Sequence, residues 1–165
     1  MIDAGLFRGE RIELLRGVLV EMSPQNLPPA GVIQFLNRIL TPAVLGRADV
    51  RVQLPFNASE DSVAEPDFAV VEPIRYTRAH PDRAFLIIEV ADTSLKIDRG
   101  EKLELYAEAG VPEYWIVNLA EGTIERHSEP AHSAYGRLTT FRRGETVQIL
   151  AFPDVAVRVD EVFGE

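Results

Sequence analysis

The chain has no cysteine at any of its 165 positions, which excludes disulfides, zinc-thiolate centres and thiol nucleophiles. Histidine is nearly as scarce. His80, His127 and His132 are the whole supply, so a metal centre built from several imidazoles is not available and any metal must be taken by oxygen ligands. No apolar run approaches the ~18 residues of a membrane span, and the opening M-I-D-A-G-L-F-R-G-E-R lacks the basic-then-apolar order of a secretory signal. The expectation is a cytoplasmic protein that does not enter a membrane. Positive charge is also in deficit: 17 Lys and Arg face 26 Asp and Glu, a formal charge of −9. A surface of that sign opposes extended contact with a phosphate backbone, because such contacts draw their free energy from counterions released by basic side chains. A divalent cation at a local site would cancel part of that opposition.

What is present suits one core. With 46% hydrophobic residues and no repeat, low-complexity tract or long linker, residues 1–165 read as a single domain. R-I-E-L-L-R-G-V-L-V-E-M predicts a hairpin turning at Gly17, with Ile12, Leu14, Val18, Val20 and Met22 alternating with their neighbours. The loop S-P-Q-N-L-P-P follows. Val32, Ile33, Leu36 and Leu40 then keep helical spacing up to Pro42, which bends or ends the helix. D-V-R-V-Q-L-P reads as a strand, N-A-S-E-D-S as a polar turn, and residues 68–71 and 84–91 as further strands. Asp98 with Glu101 three residues on resembles a capping box, and Leu103, Tyr106, Ala107 and Gly110 continue a short helix to a glycine stop. Beyond it E-Y-W-I-V-N-L and T-I-E-R-H form a hairpin, and residues 138–142, 147–150 and 155–159 extend a β-rich C-terminal third.

Chemistry concentrates in three places. F-L-I-I-E-V-A suits a strand buried on both faces, so Glu89 is a carboxylate where a carboxylate is costly. Its presence asks for a reason. Asp67 begins the preceding apolar run in E-P-D-F-A-V-V, and Lys102 lies on the helix that follows, in D-R-G-E-K-L-E-L-Y. Magnesium and manganese prefer carboxylate, carbonyl and water oxygens, so Asp67, Glu89 and the backbone carbonyl of Val90 are the candidate ligands of Mg2+ or Mn2+. Lys102 would neutralise charge developing on a phosphate, and its truncation is expected to lower turnover while changing fold stability little. The ordinary structural alternative stands beside this: Asp67 capping a strand after Pro66, Lys102 pairing with Asp98 at i, i+4, and Glu89 a satisfied core acid. His127 and His132 flank a Pro/Ser/Ala stretch and read as exposed loop histidines. Tyr114 and Trp115 read as core or interface aromatics, and as a candidate homodimer contact.

The succession P-D-F-A-V-V, L-I-I-E-V-A-D-T-S-L and D-R-G-E-K-L-E-L-Y-A-E-A-G-V-P-E-Y-W-I-V-N, with the opening R-I-E-L-L-R-G-V-L-V-E-M-S-P, resembles the Uma-two family of restriction-like endonucleases, a branch of the PD-(D/E)XK nuclease superfamily. The resemblance covers nearly the whole chain. It implies an α/β fold of α+β character, a restriction-endonuclease-like core with a mixed central β-sheet flanked by helices and extra C-terminal strands. It also implies Asp67 as the P-D aspartate and Glu89 as the acid of the second half-motif. The superfamily lysine normally stands two residues after that acid, where this chain has Ala91, and the resemblance points to Lys102 on the following helix instead. Glu13 matches a further acid near the site. Relatives commonly carry a histidine where this chain has Pro29, and a proline can neither ligate metal nor exchange a proton. The implied activity is Mg2+- or Mn2+-dependent cleavage of DNA by a homodimer or higher homo-oligomer. Two alternatives stay open: a catalytically inactive nuclease-like binding or assembly module, and a small-molecule phosphoesterase, whose substrate needs no long basic groove.

Overall fold

The computed structural model of the chain describes residues 11–22 and 27–164. The hairpin read from the opening consists of β1 (Ile12–Leu15) and β2 (Val18–Glu21), paired Leu15 to Val18 across Arg16 and Gly17. Both turn residues take positive φ, 50° and 78°, the backbone of a tight hairpin turn whose twist matches its strands. The inward face differs from the expected one. Glu13 and Leu15 are buried while Ile12 and Leu14 are only half-buried, because the hairpin lays the acid-bearing face toward the rest of the fold.

Most of the loop expected at S-P-Q-N-L-P-P, residues 23–26, lies outside the described residues. Helix α1 (Leu27–Ala43) then starts with two prolines in its first turn, where no intrahelical N–H is lost, and buries Pro29, Val32, Ile33, Leu36 and Leu40 along one stripe. Pro42 stands at its end. Next come β3 (Asp49–Val52), β4 (Phe56–Ser59), β5 (Ser62–Ala64), β6 (Phe68–Val71) and β7 (Leu86–Ala91). The polar turn expected at N-A-S-E-D-S is in fact part of the β4–β5 hairpin, which joins β1 and β2 in a four-stranded sheet of order β2-β1-β5-β4. Alternation was too weak in F-N-A-S to mark it.

The second half opens with α2 (Leu95–Arg99) and α3 (Glu101–Glu108), broken at Gly100, so the helix begins before Asp98 and Asp98 is not its cap. A Cβ at Gly100 would meet the Lys96 carbonyl oxygen at 2.9 Å, so the junction leaves no room for a side chain. Leu105 is fully buried in the core, and Leu103 packs against it only partly buried. Then follow β8 (Glu113–Asn118), β9 (Thr123–Ala131), β10 (Ala134–Phe141), β11 (Thr146–Gln148), β12 (Ala156–Arg158) and a short α4 (Val159–Val162) that the sequence had not suggested.

The main sheet runs β10-β9-β8-β7-β6-β3, with β7 and β8 parallel and every other neighbouring pair antiparallel. This mixed sheet has the restriction-endonuclease-like arrangement. Every residue of β7 is buried, and strand periodicity deals them to two cores. Leu86, Ile88 and Val90 pack with α1 and the C-terminal elements, while Ile87 and Ala91 pack with α3 and the small sheet. Glu89 therefore points to the α3 side, between helix and small sheet. Tyr114 and Trp115 are fully buried on β8, so neither provides the dimer contact considered for them. His127 is also buried, on β9 against the rings of Tyr114 and Tyr135 at 5.9 and 6.0 Å, and is not a loop residue. His132, at φ 55° beyond the end of β9, is exposed.

Candidate active site

Five ionisable side chains from four elements and one connecting segment meet in the gap between the small sheet and the main one. Glu13 comes from β1, Glu89 from β7, Asp98 from α2 and Lys102 from α3, and Asp67 precedes β6. All are at most 5% exposed, and all line one cavity of about 200 Å³ that Val90 and Pro29 also border. Pro29, in the first turn of α1, thus stands beside the acids, at the position that the resemblance matches to a histidine.

Lys102 organises the group. Its Nζ lies 3.0 Å from Glu13 Oε1, 3.1 Å from Glu89 Oε1 and 4.0 Å from Asp98 Oδ1. The i, i+4 pair with Asp98 exists, yet it is the longest of the three contacts. Burial alone would lower the lysine pKa, but Glu89, Glu13 and Asp98 together outweigh it and hold the ammonium charged well into alkaline solution. Removing this cation cannot be structurally neutral, contrary to the expectation from the sequence.

Each carboxylate has its own support. Glu13 Oε1 also accepts the backbone N–H of Glu65 at 2.9 Å. Glu89 Oε1 accepts the Tyr106 hydroxyl at 2.8 Å, and burial, with repulsion from Asp98, Asp67 and Glu13, pushes its pKa well above the ordinary range against the pull of Lys102. Asp67 Oδ2 accepts the Val90 N–H at 2.8 Å and Oδ1 the Gln53 amide at 3.2 Å. Burial raises the Asp67 pKa and these two donors pull it back. Asp98 Oδ2 accepts the Ser94 hydroxyl at 2.7 Å, and its Oδ1 is buried with no hydrogen-bond partner. Its pKa is pushed up to about 6, chiefly by burial.

These shifts have a sign. A carboxyl whose folded pKa is raised contributes stability that is full below its unfolded pKa and is lost as pH climbs through the folded one. For Asp98 that window runs from about 4 to about 6. Relative to Asp98→Asn, wild-type stability without metal should therefore fall by up to about 3 kcal/mol between pH 4 and pH 7. The comparison with the variant is needed because His127, whose pKa burial lowers, acts in the opposite sense. Urea denaturation of both proteins at four pH values measures it, and a difference that stays flat would contradict the electrostatic reading of the cluster.

Does this donor set fit a divalent cation? Among the described residues no three Asp, Glu or His side chains form a ready ion cage. Mg2+ does not require one, since it keeps several waters and is held by one or two carboxylates together with substrate phosphate. Asp67 and Glu89 with the Val90 carbonyl are an all-oxygen partial shell of that kind, and four buried carboxylates around one ammonium leave negative charge that a cation would balance. The residues fit the group.

Three contributors to the site are not marked by the sequence pattern. In the sequence Tyr106 looks only like a core position of the helix, Asp98 like a cap or the i, i+4 partner of Lys102, and Gln53 like part of a strand. The hydroxyl and amide of Tyr106 and Gln53 carry no charge pattern that a sequence would flag, whereas Asp98 was misplaced because the helix break at Gly100 hides its start.

The model of the Uma2 family, described as "putative restriction endonuclease", matches residues 4–160. The crystal structure of a "putative nuclease belonging to DUF820" from Anabaena variabilis is similar with a TM-score of 0.71 and 15% identity, over 92% of this chain and 89% of that one. At that identity the likeness speaks for the fold. No protein of curated function matches.

Proposed function

This chain belongs to the Uma2 family of restriction endonuclease-like proteins, and from that premise we propose that it is a Mg2+- or Mn2+-dependent DNA endonuclease with its active site at the cavity between the two sheets. The single observation that carries the reading is the convergence of Asp67, Glu89 and Lys102, from three separate segments, on one buried pocket. Asp67, Glu89 and the Val90 carbonyl would hold the cation. Bound there, it supplies Lewis-acid stabilisation of charge on the phosphoryl oxygens.

The chain's own residues do the rest. Lys102 stays protonated under its three carboxylates, so it serves as a fixed positive charge toward the phosphate and not as a base. Glu13 holds that ammonium from the far side, and the Tyr106 hydroxyl fixes the Glu89 carboxylate. The Val90 N–H and the Gln53 amide orient Asp67. Cleavage of both strands needs two such sites, so a two-fold pair of chains belongs to the reading, with its contact outside the buried Tyr114 and Trp115. Residues 1–165 are taken as one domain acting in the cytoplasm. Among the described residues no helix is long and apolar enough to cross a membrane.

The test offers supercoiled DNA, linear duplex, single-stranded DNA and RNA to the protein with Mg2+, Mn2+ or Ca2+. Cleavage of DNA with the first two is expected, with binding but no cutting in Ca2+, whose looser shell positions the attacking water poorly. With a charge of −9 the protein should also show a shallow salt dependence of binding. Cleavage of none of these polymers would move the reading to a non-catalytic module, which the acidic charge and Pro29 favour. Hydrolysis only of a small phosphodiester would move it to the phosphoesterase.

A further inference from the structure

Gln53 holds a backbone conformation that its side chain does not favour. It follows directly on β3 with φ 51°, in the left-handed region normally left to glycine and asparagine. Nothing in the turn demands glutamine. The chain there needs only to leave the β3–β6 ladder, and its backbone N–H already meets the Asp67 carbonyl oxygen at 3.1 Å, a bond available to any residue but proline. What glutamine adds is its amide, which donates to Asp67 Oδ1 at 3.2 Å. The left-handed turn is what brings that amide round: side chain and main chain of one residue grip side chain and main chain of another. The opposite carboxylate oxygen is fixed by the Val90 N–H at 2.8 Å.

We propose that Gln53 is a positioning residue, kept in a strained backbone because its amide sets the orientation of the Asp67 carboxylate for a divalent cation. The proposal rests on the reading of Asp67 as a metal ligand. Strain retained at a turn that a better-suited residue would relieve is the signature of a position held for function. Outer-shell donors of this kind typically change metal affinity by about 10- to 100-fold when removed.

The experiment uses Gln53→Asn, Gln53→Gly and Asp67→Asn in the full chain, with thermal melting without metal and across a Mn2+ titration. Asparagine tolerates the left-handed backbone and keeps the main-chain bond, but it is one methylene too short to reach Oδ1. Gln53→Asn should therefore melt at the same temperature as wild type without metal, or about 2–4 °C higher, while its apparent Mn2+ affinity falls at least about tenfold. Gln53→Gly should lose affinity in the same way. A merely structural glutamine gives the reverse pattern, so a lower metal-free melting temperature in both variants with unchanged Mn2+ affinity overturns the proposal. If Asp67→Asn removes the Mn2+ response and Gln53→Asn does not, the proposal fails and the assignment of Asp67 survives. If Asp67→Asn leaves the Mn2+ response intact, that assignment fails and the role of Gln53 falls with it.

Discussion

Lys102→Ala is expected to lose about 3–5 kcal/mol of folding stability at neutral pH, the usual consequence of removing one partner from a buried charge cluster. The lysine is 5% exposed and its ammonium stands within 3.1 Å of both Glu13 and Glu89, with Asp98 at 4.0 Å. Truncation leaves those carboxylates buried without their cation, and the ring of like charge closes on itself. The loss should shrink toward pH 5, where Asp98, with its pKa raised to about 6, takes up a proton and the repulsion subsides. Guanidinium denaturation at pH 5 and pH 7.5 measures both values. A loss below about 1 kcal/mol at pH 7.5 would mean that the ammonium behaves like an exposed surface charge.

Glu89→Gln should separate stability from chemistry in the opposite direction. The amide oxygen can still accept the Tyr106 hydroxyl and the Lys102 ammonium, and one of four crowded carboxylates is gone. Metal-free stability should hold or rise. Cleavage should fall by about 10³-fold, the scale on which a single preorganised electrostatic contact acts in a water-poor site. Single-turnover cleavage and melting on the same preparations would read both effects. A variant that is less stable and equally active would identify Glu89 as a structural acid.

The contrast between these two substitutions follows from how differently their residues announced themselves. Glu89 was legible because a carboxylate inside F-L-I-I-E-V-A contradicts the burial that its neighbours require, and all six residues of β7 are indeed buried. Asp67 and Lys102 stood out through their order around it, and Glu13 through resemblance to a family. The burial of Lys102 was not legible, since a lysine at i+4 from an aspartate looks the same on an exposed helix face. Only the small sheet crossing above α3, carrying Glu13 inward, encloses it. That sheet was itself half-hidden: Phe56 and Ala64 reach the core, but the β4–β5 hairpin alternates too weakly to be read as strands. His127 misled for a related reason. Its neighbours in sequence are polar, whereas its neighbours in space are Tyr114 and Tyr135. Gln53 gave no signal at all, because backbone φ is not written in residue type when the residue is the wrong type for its conformation.

The most direct test of the central claim compares wild type with Asp67→Ala, Glu89→Ala on supercoiled plasmid, at equal protein concentration in low salt with Mn2+. Wild type should nick or linearise the plasmid and stop when the ion is chelated, while the double variant, with its fold checked by circular dichroism on the same preparation, leaves it supercoiled. Equal cutting by both proteins, or none by either, would contradict the assignment of this cavity as a metal-dependent nuclease site.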